Sequence, residues 1–432
     1  MEYVIYGLGA VVFFVLVMAS IALHEVGHLV PGKLFGVKTT QYFVGFGKTL
    51  WSKRVGETEY GFKAVPLGGY VRFVGMYPPA KDRPDQIRAA RTGIFQSLAD
   101  SARAAEWETI QPSDNGRLFY QKKVWQKLIV MAGGPTMNLL LAFVILLGVT
   151  ATYGSYRSQL TINRVQECMV AVGEAANDCV GKPKTPAYQS GIQPGDTIVA
   201  FNGEQVTSWD QMSVLIRANL DKPAQITVLR DGQTVQLKPV NTVITGVADR
   251  WDPGKRVAAG FFGVEPMVER ERGGPLVVLD DMWTMTEQTA HALAAFPAKV
   301  YYTAANLITG KPRDIYGPMS IVGASRAAGE VASTDRIDAA DKVATLFMLL
   351  GSVNLFVALF NFIPLLPLDG GHIAGALYEG LKKAWARVRG RPDPGYVDTA
   401  KMLPVAYAVG GLILISGIVL ILADLIDPIK LF

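Results

Sequence analysis

Four stretches of this chain, residues 4–23, 128–153, 343–367 and 402–423, each exceed 18 residues without a charged side chain. A helix needs about 20 apolar residues to cross the hydrocarbon core of a bilayer, so each stretch is long enough to span one. Helices also satisfy their own backbone polar groups where no water is available. The four runs exclude a soluble globular fold and predict a polytopic α-helical membrane protein with four transmembrane helices. Only Glu2 precedes the first run, with neither a basic segment nor a small-residue cleavage site. That run therefore reads as a retained span and not as a removed signal peptide.

The formal net charge of +5 matters less than where the charges sit. Lys33, Lys38, Lys48, Lys53 and Arg54 follow the first span, and Lys122, Lys123 and Lys127 lead into the second. Lys382, Lys383, Arg387, Arg389 and Arg391 lie between the third and fourth. The positive-inside rule puts both loops in the cytoplasm. The N-terminus, the segment between spans two and three, and the C-terminus then lie outside. Basic residues that flank spans instead of forming one stripe argue against a nucleic-acid partner.

The first span ends in HEVGH, residues 24–28. Residues four apart share a helix face, so His24 and His28 can reach one ion. This is the zinc-binding HExxH pattern, with Glu25 as general base. Pro31 and Gly32 are expected to stop the helix. The third span runs into NFIPLLPLDG, residues 361–370, followed by Gly371 and His372. A carboxylate in so apolar a setting needs a partner and is a functional candidate. Spans one and three run in the same direction, so Asp369 can join His24 and His28 at similar depth. Two His and one carboxylate leave a fourth position open on one Zn2+, the catalytic arrangement. The competing reading of Asp369 is a cap after a helix broken by Pro364 and Pro367. Those prolines free backbone groups that can bond a substrate strand.

The predicted organisation is a first transmembrane helix with HExxH at 1–32, a membrane-associated β-loop region at 33–76, and a polar cytoplasmic insert at 77–126 with an Ala/Arg-rich, helix-compatible middle. The second transmembrane helix occupies 127–154, an extracytoplasmic α+β domain 155–268, and membrane-surface helices 269–342. The third transmembrane helix with its motif covers 343–380, a basic cytoplasmic loop 381–401, and the fourth transmembrane helix with its tail 402–432. Within 39–76, glycine-punctuated segments such as 42–44, 59–62 and 70–74 read as short strands of a small sheet, either dipping toward the site or forming an ordinary cytoplasmic hairpin. Span two carries AGGP at 132–135, which permits close helix packing, and Asn138, which serves either packing or catalysis. Cys168 and Cys179 form either a disulfide or two free thiols. His291 lies far from the motif and reads as incidental.

In the external domain, SGIQPGD at 190–196 is a turn, followed by a strand at 197–201 and a turn at Asn202 and Gly203. A helix is expected over 208–220, then strands over 225–229 and 234–237 around the hairpin signal Asp231–Gly232. This order is similar to that of a PDZ domain, with GFFGV at 260–264 resembling the strand that begins its ligand groove. The resemblance implies capture of a peptide tail by strand addition, or steric screening.

HEVGH and NFIPLLPLDG together resemble the paired motifs of the site-2 protease family of intramembrane zinc metalloproteases. PLGGYVRF at 66–73 resembles that family's membrane-associated β-loop. The external PDZ resembles its RseP-like bacterial branch, and RLFYQKKVWQKL at 117–128, with a single PDZ, is closer to actinobacterial members. The resemblance implies His24, His28 and Asp369 as zinc ligands, Glu25 as base, and Asn361 as the residue that holds substrate backbone or polarises the scissile carbonyl. It makes Gly68, Gly69, Tyr70, Pro364 and Pro367 candidates for substrate contact and His372 a hydrogen-bonding support for a ligand. It further implies a bacterial plasma-membrane location and a single-pass substrate such as an anti-sigma factor, trimmed beforehand on its external side. The competing classes are a non-catalytic PDZ membrane scaffold, which has no need of Glu25, and a zinc transporter, which has little use for an external PDZ.

Overall fold

The first apolar run folds as one helix, α1 (Glu2–Leu34), in a computed structural model that describes residues 2–78, 110–169, 179–249, 251–252 and 254–430. Contrary to expectation, Pro31 and Gly32 do not end α1. Pro31 cannot donate to the carbonyl of Gly27, one turn back, but that carbonyl lies against Gly133, so the helix continues. Its stop is Gly36 at φ +66°, where the left-handed conformation favours glycine.

The segment after α1 is not a set of short strands. It is one antiparallel hairpin of β1 (Thr39–Val55) and β2 (Thr58–Phe73), closed where Val55 pairs with Thr58. The glycines that read as breaks are irregularities within long strands. Gly45 and Gly47 have φ of +93° and +82°, and the register shifts between Val44, Phe46 and Thr49. Each such bulge bends and twists the strand without ending it. The Ala/Arg-rich middle of the predicted insert falls at 79–109, outside the described residues. Beyond it, Phe119 N–H donates to the Val74 carbonyl and Lys38 pairs with Asp114 at 2.7 Å, fastening the chain before the second span. That span is α2 (Val124–Thr152).

The chain then forms a separate unit, Thr150–Gly274. Its strands are β3 (Ser155–Val165), β4 (Thr197–Phe201), β5 (Glu204–Gln205), β6 (Pro223–Ala224), β7 (Ile226–Arg230), β8 (Gln233–Gln236), β9 (Val240–Asn241), β10 (Val243–Ala248), β11 (Arg256–Phe261) and β12 (Val264–Glu271). The main sheet has the order β12-β3-β4-β7-β8, with β5 on β4, and the described residues of the unit also form the helices α3 (Pro186–Ser190) and α4 (Trp209–Asn219). Alternation along the strands turns Ile162, Ile198, Ile226 and Val228 inward onto Met212 of α4, making an apolar core. Ser208 caps α4 by accepting from Gln211 N–H. Asp231 and Gly232, at φ +50° and +77°, make the tight turn of the β7–β8 hairpin. Cys168 and Cys179 are joined as a disulfide. GFFGV is not one strand: β11 ends at Phe261 and β12 starts at Val264, because Gly263 at φ +98° turns the chain between them.

The remainder returns to the helical unit with α5 (Pro275–Thr309), α6 (Ile321–Ser333), α7 (Ala339–Asn361), α8 (Asp369–Val388) and α9 (Leu403–Ile426). Among the described residues, four helical segments are long and apolar enough to cross a membrane, Glu2–Leu34, Val124–Thr152, Ala339–Asn361 and Thr399–Ile426. They fall on the four predicted runs. α6 packs along the first half of α1, with Ala328 against Phe13 and Val17 and an added Cβ on Gly9 only 2.6 Å from Ala332 Cβ. The third span and its motif do not form one helix. α7 ends at Asn361, residues 362–368 with Pro364 and Pro367 are irregular, and Asp369 starts α8.

Candidate metal centre

α1 carries His24 and His28 on one buried face, and the start of α8 brings Asp369 to them. The two Nε2 atoms are 3.2 Å apart, and each is 3.3 Å from Asp369 Oδ2. What surrounds them fixes their protons. His24 Nδ1 donates to the Asn138 Oδ1 at 2.5 Å, and His28 Nδ1 donates to the Val130 carbonyl at 2.8 Å. A neutral imidazole with its proton on Nδ1 keeps a lone pair on Nε2. Among the described residues, three acceptors thus face one another without a donor, and Asp369 Oδ2 is buried with no hydrogen-bond partner. Orphaned acceptors in a low-dielectric interior are costly, and a cation between them removes the cost. Two nitrogens and one carboxylate oxygen fit zinc in particular.

Glycines make the room. A Cβ on Gly134 of α2 would overlap His28 Nε2 and stand 2.6 Å from His24 Nε2. Gly27 and Gly133 meet backbone to backbone, so that a Cβ on either would overlap the other's carbonyl oxygen. This closeness sets α2 near enough for Val130 and Asn138 to reach the histidines.

Glu25 is buried beside the pair, at 9% exposure. Gly69 of β2 lies against it, since an added Cβ would stand 2.9 Å from Glu25 Cγ. Gly68, at φ +141°, sits against the Phe46 ring. Tyr70 donates its hydroxyl proton to Gln41 Oε1 at 3.3 Å and stacks on Phe43 and Phe46. The inner part of the hairpin is therefore brought to Glu25 through Gly69.

The other sequence-derived candidates are placed differently. Asn361, the last residue of α7, donates from Nδ2 to the Val357 carbonyl one turn back, at 3.1 Å. The segment with Pro364 and Pro367 folds onto the first turn of α8: a Cβ on Gly370 would overlap the Ile363 carbonyl, and one on Gly371 would stand 2.5 Å from Leu366 N. His372 lines a small cavity with Met76, Phe119, Tyr120, Lys127 and Glu379. Among the described residues no hydrogen bond joins it to a ligand side chain; it starts the next turn of α8, facing this cavity. Lys127 and Glu379 form a buried ion pair there, at 2.9 Å.

Asn138 neither only packs nor reaches the reacting groups; it orients His24. Sequence reasoning missed its neighbour Asn354 of α7, fully buried, which accepts from Asn138 Nδ2 at 2.8 Å and donates to Ser20 Oγ at 3.1 Å. The signal was there: a second carboxamide inside an apolar run invites the same question as the first.

Comparison with known proteins agrees with this chemistry. The model of Peptidase family M50 matches residues 12–392. Zinc metalloprotease Rip1 of Mycobacterium tuberculosis (strain ATCC 25618 / H37Rv) is 33% identical over 442 residues, covering 98% of both chains. Rip1 of Mycolicibacterium smegmatis is 32% identical over 452 residues, covering 99% of both. Metalloprotease MmpA of Caulobacter vibrioides is 28% identical over 383 residues, covering 84% of both.

Proposed function

The chain belongs to peptidase family M50, the site-2 proteases, and from that membership we propose that it cleaves a peptide bond within the membrane-spanning segment of a single-pass protein. It is a membrane zinc metalloendopeptidase of the site-2 type, with Zn2+ as cofactor. Membership in a peptidase family leaves the scaffold and transporter readings without support. The observation that carries the proposed site is the convergence of His24 Nε2, His28 Nε2 and Asp369 Oδ2 around an orphaned oxygen, with Glu25 alongside.

In this reading His24, His28 and Asp369 hold the zinc, which when bound acidifies water and polarises the scissile carbonyl. Glu25 accepts the proton of the attacking water and delivers it to the leaving amine. Its burial next to Gly69 keeps it away from bulk solvent and next to any segment lying along β2. A helical substrate hides its carbonyls and must unwind; pairing with the hairpin near Gly68, Gly69 and Tyr70 would hold it extended. Asn361 would exchange its bond to Val357 for one to the substrate carbonyl, and the irregular segment with Pro364 and Pro367 offers further backbone groups.

The orientation follows the charge pattern: both basic loops inside, both termini and the Thr150–Gly274 unit outside, in a bacterial plasma membrane. That unit is read as a PDZ domain that binds the trimmed end of a substrate or excludes untrimmed proteins. The substrate class is a pre-trimmed single-pass protein such as an anti-sigma factor. The test uses purified protein and a single-span substrate. Glu25→Gln should strongly lower the cleavage rate while keeping zinc, and Asp369→Asn should weaken zinc binding. Undiminished cleavage by the first would sink the mechanism, and full zinc affinity in the second would remove Asp369 from the ligand set.

A further inference from the structure

Three polar side chains in three apolar helices, Ser20 of α1, Asn138 of α2 and Asn354 of α7, form one hydrogen-bonded chain that ends on His24. A carboxamide donates from one end and accepts at the other, so a chain of them has a direction. Here the direction is forced at its far end. Asn354 Nδ2 is 2.9 Å from the Leu350 carbonyl, which only accepts. Its other proton goes to Ser20 Oγ at 3.1 Å, whose own proton is given to the Leu16 carbonyl at 3.1 Å. Asn354 must therefore turn Oδ1 toward α2, where Asn138 Nδ2 meets it at 2.8 Å. Asn138 in turn must present Oδ1 to His24 Nδ1. An oxygen at that place requires a proton on Nδ1 and leaves Nε2 bare. The reverse chain would put an N–H against Nδ1 and drive the proton onto Nε2, between the other two acceptors.

We propose that Asn354 is a positioning residue that, through Asn138, dictates which nitrogen of His24 is free to bind zinc. The proposal rests on His24 being a ligand. His28 has no need of such a relay, because the Val130 main-chain carbonyl sets its proton directly. The two histidines of one motif are thus governed in different ways, one by backbone and one by two side chains.

The experiment measures zinc affinity of the full-length purified protein by chelator competition. Nitrogen NMR of the metal-free, histidine-labelled protein reads the tautomer, a tractable spectrum with four His in the chain. Asn354→Leu should weaken zinc binding roughly 10-fold or more, the usual effect of losing a group that orients a ligand, and should shift His24 toward the Nε2–H form. Asn354→Asp keeps an oxygen facing Asn138 and should bind zinc close to wild type. Wild-type affinity and tautomer in Asn354→Leu overturn the proposal. So does an Asn354→Asp protein as weak as Asn354→Leu, since loss of packing would then account for both. If Asn354→Leu does not fold, Asn354→Ser, too short to reach Asn138, carries the same expectation. His24→Ala separates the two levels: retained zinc affinity there would remove His24 from the ligand set, whereas lost affinity there with intact Asn354→Leu refutes the relay alone.

Discussion

In the Thr150–Gly274 unit the fully buried side chains include Ile162, Ile198, Met212, Ile226 and Val228, and the buried carboxylate of Asp196 is paired with Arg230 at the edge of this apolar core. In the helical unit many of the most deeply buried positions hold His28, Asn138, Asn354, Glu379 and Asp424, while Leu8, Val11, Leu414 and Ile415 are more than half exposed. The first arrangement uses water as its solvent, and burial of apolar surface holds it together. The second uses lipid. Apolar side chains gain little by turning inward there, so close contact at glycines and internal hydrogen bonds carry the association. The proposed hydrolysis of bonds inside a bilayer needs a polar interior, and this solvent permits one.

The largest effect that tests the contrast belongs to the polar interior. Glu25→Gln should lower the cleavage rate by about 10²–10⁴-fold, the range for losing a general acid–base group, with zinc content unchanged by metal analysis. Next comes the room beside the ligands. Gly134→Ala should weaken zinc binding by roughly 10–100-fold in chelator competition, because its methyl group would overlap the His28 nitrogen. Wild-type affinity there would mean that α2 can move away without consequence. In the other unit, Met212→Ala should cost about 2–5 kcal/mol in its thermal unfolding and leave zinc affinity untouched. A parallel loss of zinc would show that the two interiors are not independent.

The smallest effect concerns a charge in the water-solvated unit. Burial pushes the Asp196 carboxyl up, but the Arg230 guanidinium and the Gln193 N–H outweigh it and hold the carboxyl below the ordinary carboxylate range. A carboxyl lowered by folding stabilises the fold above its unfolded value, near 3.9, and this contribution fades as pH falls through the folded value. Arg230→Met should therefore cost about 1–3 kcal/mol near neutral pH, and its stability should fall less steeply on acidification than that of wild type. Unfolding scans at neutral pH and near pH 3 decide it; parallel curves would discard the Asp196 contribution.

The spans were legible because absence of charge over a bilayer's thickness is a local property of sequence. His24 and His28 were legible for the same reason, since helical spacing alone puts them together. Asp369 could be singled out as a carboxylate in apolar company, and topology brought it near. What could not be read were relations between distant segments. Nothing local tells that Gly134 stands before two imidazoles, that Val130 supplies a carbonyl to His28, or that Glu379 receives Lys127. The glycines of the hairpin misled for a definite reason: a residue at positive φ marks the end of a strand or a bulge within it, and only the partner strand tells which. Pro31 misled similarly, because its missing donor is tolerated only where Gly27 packs against another helix.

That packing narrows what a short zinc pattern can contain. The two middle letters of HEVGH look interchangeable when written as HExxH, yet they answer to different neighbours. Val26 is half-buried and has latitude, whereas Gly27 is dictated by Gly133, which leaves no space for even a methyl group. In this protein the pattern is effectively HExGH, and the added letter is spelled by a different helix.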